Sequence, residues 1–268
     1  MYKLIGIDMD GTLLKDDKTI SAKNIETIKK AIKQGIKIVI STGRHLKGIE
    51  KYLNQLDLIS NSVYAVCLNG SIVQNTKTHD SIYEKLLKIE DAKYIYNLGE
   101  KINVNVQIAL KESNITPILN EYSIEDSRLT GVKFNVQDID TIDSSEHIFK
   151  VMFMQDPEIL SKSIKKLPNS IYKKYTALKS EPCFLEFINK DSNKWNGIKA
   201  VANHFGIKKD EILCIGDSGN DVAMIKHAGL GVAMGNAIPE IKKIASYITK
   251  TNEEDGVAHV IEKFVLNK

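Results

Sequence analysis

Five short apolar runs, at residues 3–7, 36–40, 64–68, 211–215 and 230–233, alternate with amphipathic stretches, and this alternation constrains the chain most. Apolar runs of four or five residues with no polar alternation read as strands buried on both faces, the pattern of a parallel sheet. The stretches at 21–34, 46–56, 194–205 and 220–228 carry apolar residues at helical spacing, the first behind Ser21 as a cap. Parallel strands joined by helices require right-handed crossovers, so the spacing predicts an α/β, doubly wound, Rossmann-like core. Ligands of such sheets bind beyond the carboxyl ends of the strands. The polar residues that follow each run are therefore the ones that matter.

The alternation breaks in the middle of the chain. A helix at 89–102 is followed by strands at 104–110, 131–136 and 149–154, a helix at 157–166, and strands at 171–178 and 183–188. A block of this length with its own helices and strands is large enough for a separate core. The expected division is a catalytic core of 1–82 with 189–268, and an inserted α+β cap of 83–188 that sets specificity.

Bulk properties narrow the class. A net charge of +3 over 268 residues, with lysines such as Lys29, Lys30 and Lys33 spread along a solvated helix face, argues against nucleic-acid binding. Cys67, Cys183 and Cys214 are far apart and odd in number, which suits reduced thiols rather than a disulfide framework. The first apolar run is broken by Asp8 and no later one is long enough to span a bilayer. The expectation is a cytoplasmic protein without membrane or nucleic-acid partners, a monomer or weak homodimer.

Four segments at or near the strand ends carry chemistry. In Asp8-Met9-Asp10-Gly11-Thr12-Leu13, Asp8 by its side chain and Asp10 by its backbone carbonyl can meet one Mg²⁺, which favours oxygen ligands. An Asp-Gly pair also marks an ordinary turn, but an acid inside the end of an apolar run is costly without a partner. Ser41-Thr42-Gly43-Arg44 offers hydroxyl and backbone N–H donors to phosphate oxygens, although Thr-Gly before a helix is also common capping. Lys194 opens a helix, where a cation opposes the helix dipole. Gly216-Asp217-Ser218-Gly219-Asn220-Asp221 packs two acids and an amide into one turn. Asp217 suits the third metal ligand, Asp221 the orientation of the metal's waters, and Asn220 a hydrogen bond to phosphate.

Taken together, DMDGTL, STGR, Lys194 in NKWNGI, and GDSGND resemble the haloacid-dehalogenase-like phosphatases, in particular the Cof-type branch with a large inserted cap. LNGS at 68–71 is similar to the segment that precedes the cap in that branch. The resemblance implies that Asp8 attacks phosphorus to form an aspartyl-phosphate, and that Asp10 serves as acid and then base. It further implies that Thr42, Gly43, Lys194, Asn220 and the backbone N–H of Met9 hold the phosphate oxygens. Small phosphate esters follow as substrates, sugar phosphates first and phosphorylated cofactors next. The cap is expected to close as a lid. Arg128, Lys133, Tyr175 and Glu186 are conceivable substrate contacts within it, but each is better explained by packing or exposure and none is taken as a site.

Three other readings compete. A phosphomutase or phosphotransferase shares the first chemical step, and the motifs do not separate it from a hydrolase. A receiver-like phospho-acceptor uses a similar acidic pocket but needs neither Asp10 nor an insert. A dinucleotide-binding oxidoreductase would follow the first strand with a glycine-spaced loop, which is absent.

Overall fold

The computed structural model describes residues 1–267, apart from the side chains of Glu125, Arg128, Leu129 and Thr130. Two compact units form, Met1–Tyr83 with Asn193–Lys268, and Glu84–Ser192. The sequence reading placed the second boundary at 188/189. The chain in fact stays with the second unit through Ser192, where Asn189 donates its side-chain amide to the Leu86 carbonyl.

The strands in chain order are β1 Leu4–Asp8, β2 Lys37–Ser41, β3 Tyr64–Cys67, β4 Ile72–Asn75, β5 Ser81–Glu84, β6 Asn105–Ala109 and β7 Ser113–Thr116. They continue with β8 Lys133–Val136, β9 Lys150–Met154, β10 Tyr175–Glu181, β11 Phe184–Asn189, β12 Ile212–Gly216, β13 Leu230–Ala233 and β14 Tyr247–Ile248. Among the described residues the first unit's sheet runs β14-β13-β12-β1-β2-β3-β4-β5. It is parallel from β14 to β3, and β4 turns back antiparallel on β3.

β1 lies between β12 and β2, and every residue of β1 and β12 is buried, which is why both read as unbroken apolar runs. Register decides where chemistry sits. Ile7 pairs with Ile215, and Asp8 pairs with Ser41. The three strands therefore end level, and their following loops emerge side by side. The helix Lys194–His204 buries Ile198 and Val201, and is capped by Asn193, whose side chain accepts from the Asn196 N–H at 2.9 Å.

The second unit's sheet runs β10-β11-β9-β6-β7-β8, antiparallel except for the β7–β8 pair. Val106, Ile108, Val151, Phe153, Leu185 and Phe187 share one face and pack with Ala92 and Ile95 of the helix Ile89–Lys101. The strand expected at 171–178 begins instead as a short helix, Asn169–Lys174. Ile171 and Tyr175 are buried with three exposed residues between them, a helical spacing that a strand would not give. The expected strand at 131–136 is preceded by the helix Glu121–Thr130, which ends at Gly131. None of the three cysteines is in a disulfide, and Cys67 and Cys214 are buried.

Candidate active site

At the end of β1 the Asp8 side chain is nearly inaccessible, and its Oδ1 accepts from Lys194 Nζ at 2.5 Å. The same ammonium donates to Asp221 Oδ1 at 2.6 Å. Lys194 is thus no lone cation at a helix start: it joins β1 to the turn after β12. The other Asp221 oxygen accepts the backbone N–H groups of Asp217 (2.9 Å) and Ser218 (3.1 Å), which tightens the acidic turn. Asp217 is held by Thr12, whose Oγ1 donates to Oδ1 at 2.9 Å. Gly11, at φ +80°, lets the chain leave β1 sharply, and a Cβ there would sit 2.5 Å from Asp217 Oδ2.

Carboxylate oxygens of Asp8, Asp217 and Asp221 lie within 4.8 Å of one another. Burial, then the charge of Asp221, drive the Asp8 carboxyl well above its usual range against the pull of Lys194. Burial and Asp221 likewise push Asp217 up to about 6. Burial alone would lower the Lys194 pKa, but Asp221 and Asp8 outweigh it and raise it. Three carboxylates around one ammonium leave an excess of negative charge that a single divalent cation balances. Asp8 Oδ2 is buried with no hydrogen-bond partner. An unsatisfied buried carboxylate oxygen beside two further acids is a donor set that fits a hard cation such as Mg²⁺.

Asp10 is placed differently. Its carboxylate is outside that cluster and is gripped by Arg44, Nε to Oδ2 at 2.9 Å and Nη2 to Oδ1 at 2.7 Å, with Lys18 Nζ at 3.0 Å. Burial would raise the Asp10 carboxyl, but Arg44 and Lys18 prevail and lower it. Met9 is fully buried, and its carbonyl accepts from Thr12 and Leu14. Thr42 follows β2, its N–H donating to the Val66 carbonyl and its Oγ1 accepting from the Arg44 N–H. Gly43 lies against the Asn69 amide. Asn220 donates from Nδ2 to Asn69 Oδ1 at 3.0 Å and accepts from Ser218 Oγ at 2.7 Å.

Asp8, Lys194, Asp217 and Asp221 therefore form one connected cluster. Thr42, Gly43 and Asn220 are linked through Asn69, and Asp10 sits with Arg44. The sequence reading placed Arg44 near the pocket without a partner, and did not assign roles to Thr12, Asn69 or Ser218. The only signal for Asn69 was the LNGS segment after β3. Of the conceivable contacts in the second unit, Tyr175 is buried and donates to Asp91, and Glu186 is buried with Lys150 at 3.1 Å. Lys133 is exposed, and the Arg128 side chain lies outside the described residues.

A sheet of this order with acids at the ends of its middle strands is a doubly wound α/β core with its site at the carboxyl edge, and comparison with known proteins agrees. The sequence profile of the haloacid dehalogenase-like hydrolases matches residues 5–261. The chain is similar to "Putative phosphatase YxeH" of Bacillus subtilis, 39% identical with both chains covered completely. It is 34% identical to the 5-amino-6-(5-phospho-D-ribitylamino)uracil phosphatase YcsE of the same organism, covering 98% of this chain and 96% of the relative. A solved haloacid dehalogenase-like hydrolase from Bacteroides thetaiotaomicron superposes with a TM-score of 0.87 at 32% identity, covering 98% of this chain and 99% of the other. The chain belongs to the haloacid dehalogenase-like hydrolases, and within them to the phosphatases. An acceptor-only role is thereby set aside. Among the described residues no helix is long and apolar enough to cross a membrane.

Proposed function

We propose that this phosphatase is Mg²⁺-dependent and hydrolyses small phosphorylated metabolites through an aspartyl-phosphate on Asp8. The observation that carries the reading is the buried Asp8–Lys194–Asp221 bridge, with Asp8 Oδ2 left unpartnered beside Asp217. Asp8, Asp217 and the Asp10 carbonyl are the residues to hold the metal, with Asp221 orienting its waters. When bound, Mg²⁺ screens the repulsion between the Asp8 carboxylate and the phosphate dianion.

The steps then follow from the chain's own groups. An Asp8 oxygen bonds to phosphorus as the ester P–O bond breaks, and Asp10, which must first take up a proton against the hold of Arg44 and Lys18, passes it to the departing oxygen. Asp10, now a carboxylate held by Arg44 and Lys18, takes a proton from the water that attacks the aspartyl-phosphate. Inorganic phosphate leaves and Asp8 is restored. Lys194 uses two of its three N–H bonds on Asp8 and Asp221, which leaves one for a phosphate oxygen. Met9 N–H, Thr42, Gly43 and Asn220 supply the remaining donors.

A phosphate on a polyhydroxylated carbon chain is the favoured substrate class, either a sugar phosphate or a phosphorylated cofactor or its precursor. The ribityl phosphate named for the 34%-identical relative supports it. Residues 84–192 are assigned the choice of leaving group, and residues 1–83 with 193–268 the phosphate chemistry, in the cytoplasm. A panel of phosphate esters assayed with Mg²⁺ and with excess EDTA tests the reading. Equal amounts of alcohol and inorganic phosphate are expected; phosphate transferred to added sugar would make the protein a phosphotransferase. Turnover that persists in EDTA would remove the metal.

A further inference from the structure

We propose that Asn69 is a positioning residue that aims the Asn220 amide at the phosphate. The inference rests on the proposed role of Asn220 as a phosphate donor. An asparagine amide has two N–H donors and one carbonyl acceptor. Asn220 spends one N–H on Asn69 Oδ1 (3.0 Å), and its carbonyl accepts from Ser218 Oγ (2.7 Å). Both rotation and inversion of the amide are thereby blocked, and a single N–H remains to be directed elsewhere.

Asn69 is equipped for this task by its backbone. It lies in the left-handed region, at φ 56° and ψ 33°, a conformation that Asn tolerates better than other non-glycine residues. It is 1% exposed, and its own N–H donates to the Thr42 carbonyl at 2.9 Å. The N–H of Leu68 donates to the Arg44 carbonyl at 3.1 Å. On the far side Gly70, at φ +86°, packs so closely that a Cβ would come 2.0 Å from the Asn193 carbonyl oxygen, next to Lys194. The turn Leu68–Gly70 thus abuts the loop after β2, the start of the Lys194 helix and, through Asn69, the loop after β12. Asn69 Oδ1 reaches Asn220 across 151 positions of sequence.

The test is a double-mutant cycle of Asn69→Gly and Asn220→Ala. Glycine keeps the left-handed backbone and removes the side-chain amide, the Asn220 acceptor with it. Expected for Asn69→Gly is a rise of about tenfold in both KM for p-nitrophenyl phosphate and the inhibition constant of inorganic phosphate, because a phosphate contact is common to bound and reacting states. Its kcat should change by less than about threefold. Asn220→Ala should show the same pattern more strongly, and adding Asn69→Gly to it should cost nothing further. Losses that multiply in the double variant, or an unchanged phosphate inhibition constant in Asn69→Gly, would overturn the positioning role. An unaltered phosphate inhibition constant in Asn220→Ala would instead overturn the role of Asn220 itself, and the inference with it.

Discussion

Lys194 is fully buried between the carboxylates of Asp8 and Asp221, so its removal is a severely damaging change to stability. Lys194→Met would leave Asp8, Asp217 and Asp221 with no cation among them. Breaking a buried ion pair from one side costs about 3–5 kcal/mol, and chemical denaturation in EDTA should show a loss of that order, partly restored by Mg²⁺. Asp8→Asn acts in the opposite direction. It removes a charge whose burial and repulsion already drive the carboxyl well upward, while the amide oxygen still accepts from Lys194. The variant should melt at or above the temperature of the parent in EDTA, with turnover reduced by about 10³ or more. A lower melting temperature together with retained hydrolysis would contradict both statements.

At the scale of elements, the second unit contains a contact that reports on pH. Asp91, in the first turn of the helix Ile89–Lys101, accepts from Lys174 Nζ (2.5 Å) and Tyr175 Oη (2.7 Å) where β10 begins. Burial would raise its carboxyl, but those two hydrogen bonds win and lower it below the ordinary 3.8. A carboxyl lowered by folding stabilises above its unfolded pKa, and that contribution fades as the pH falls through the folded value. Stability should therefore decline below about pH 4 more steeply in the parent than in Asp91→Asn, measured by urea unfolding across that range. The hydrophobic pattern made β1, β2, β3, β12 and β13 legible because strands buried on both faces are unbroken apolar runs. β4, β5 and β7 are four residues long and carry polar residues, and β14 has only two residues, so no periodicity marked them. The helix Asn169–Lys174 was missed because six residues give less than two turns of pattern. The acids of the site stood out because each lies in a short contiguous motif after a strand. The Arg44 grip on Asp10 and the Asn69 bond to Asn220 join residues 34 and 151 positions apart, and nothing local encodes such pairings.

For the molecule as a whole, a metal that binds the folded acidic cluster and not the open chain must stabilise it. Raising Mg²⁺ from zero to about a hundred times its dissociation constant should add about 2.7 kcal/mol, read as a concentration-dependent melting temperature that EDTA reverses. The order of strands has a further consequence, for synthesis. β1 sits between β2 and β12, and Asp8 meets Lys194 only 186 positions later. On a ribosome that adds 5–20 residues each second, the nascent polypeptide waits roughly 10 to 40 s with one edge of β1 unpaired. Throughout that interval an apolar strand bearing a charged carboxylate stays open to wrong partners. Heat-stressed cells, or a chain stalled inside the insert, are where aggregation of this enzyme should first be seen.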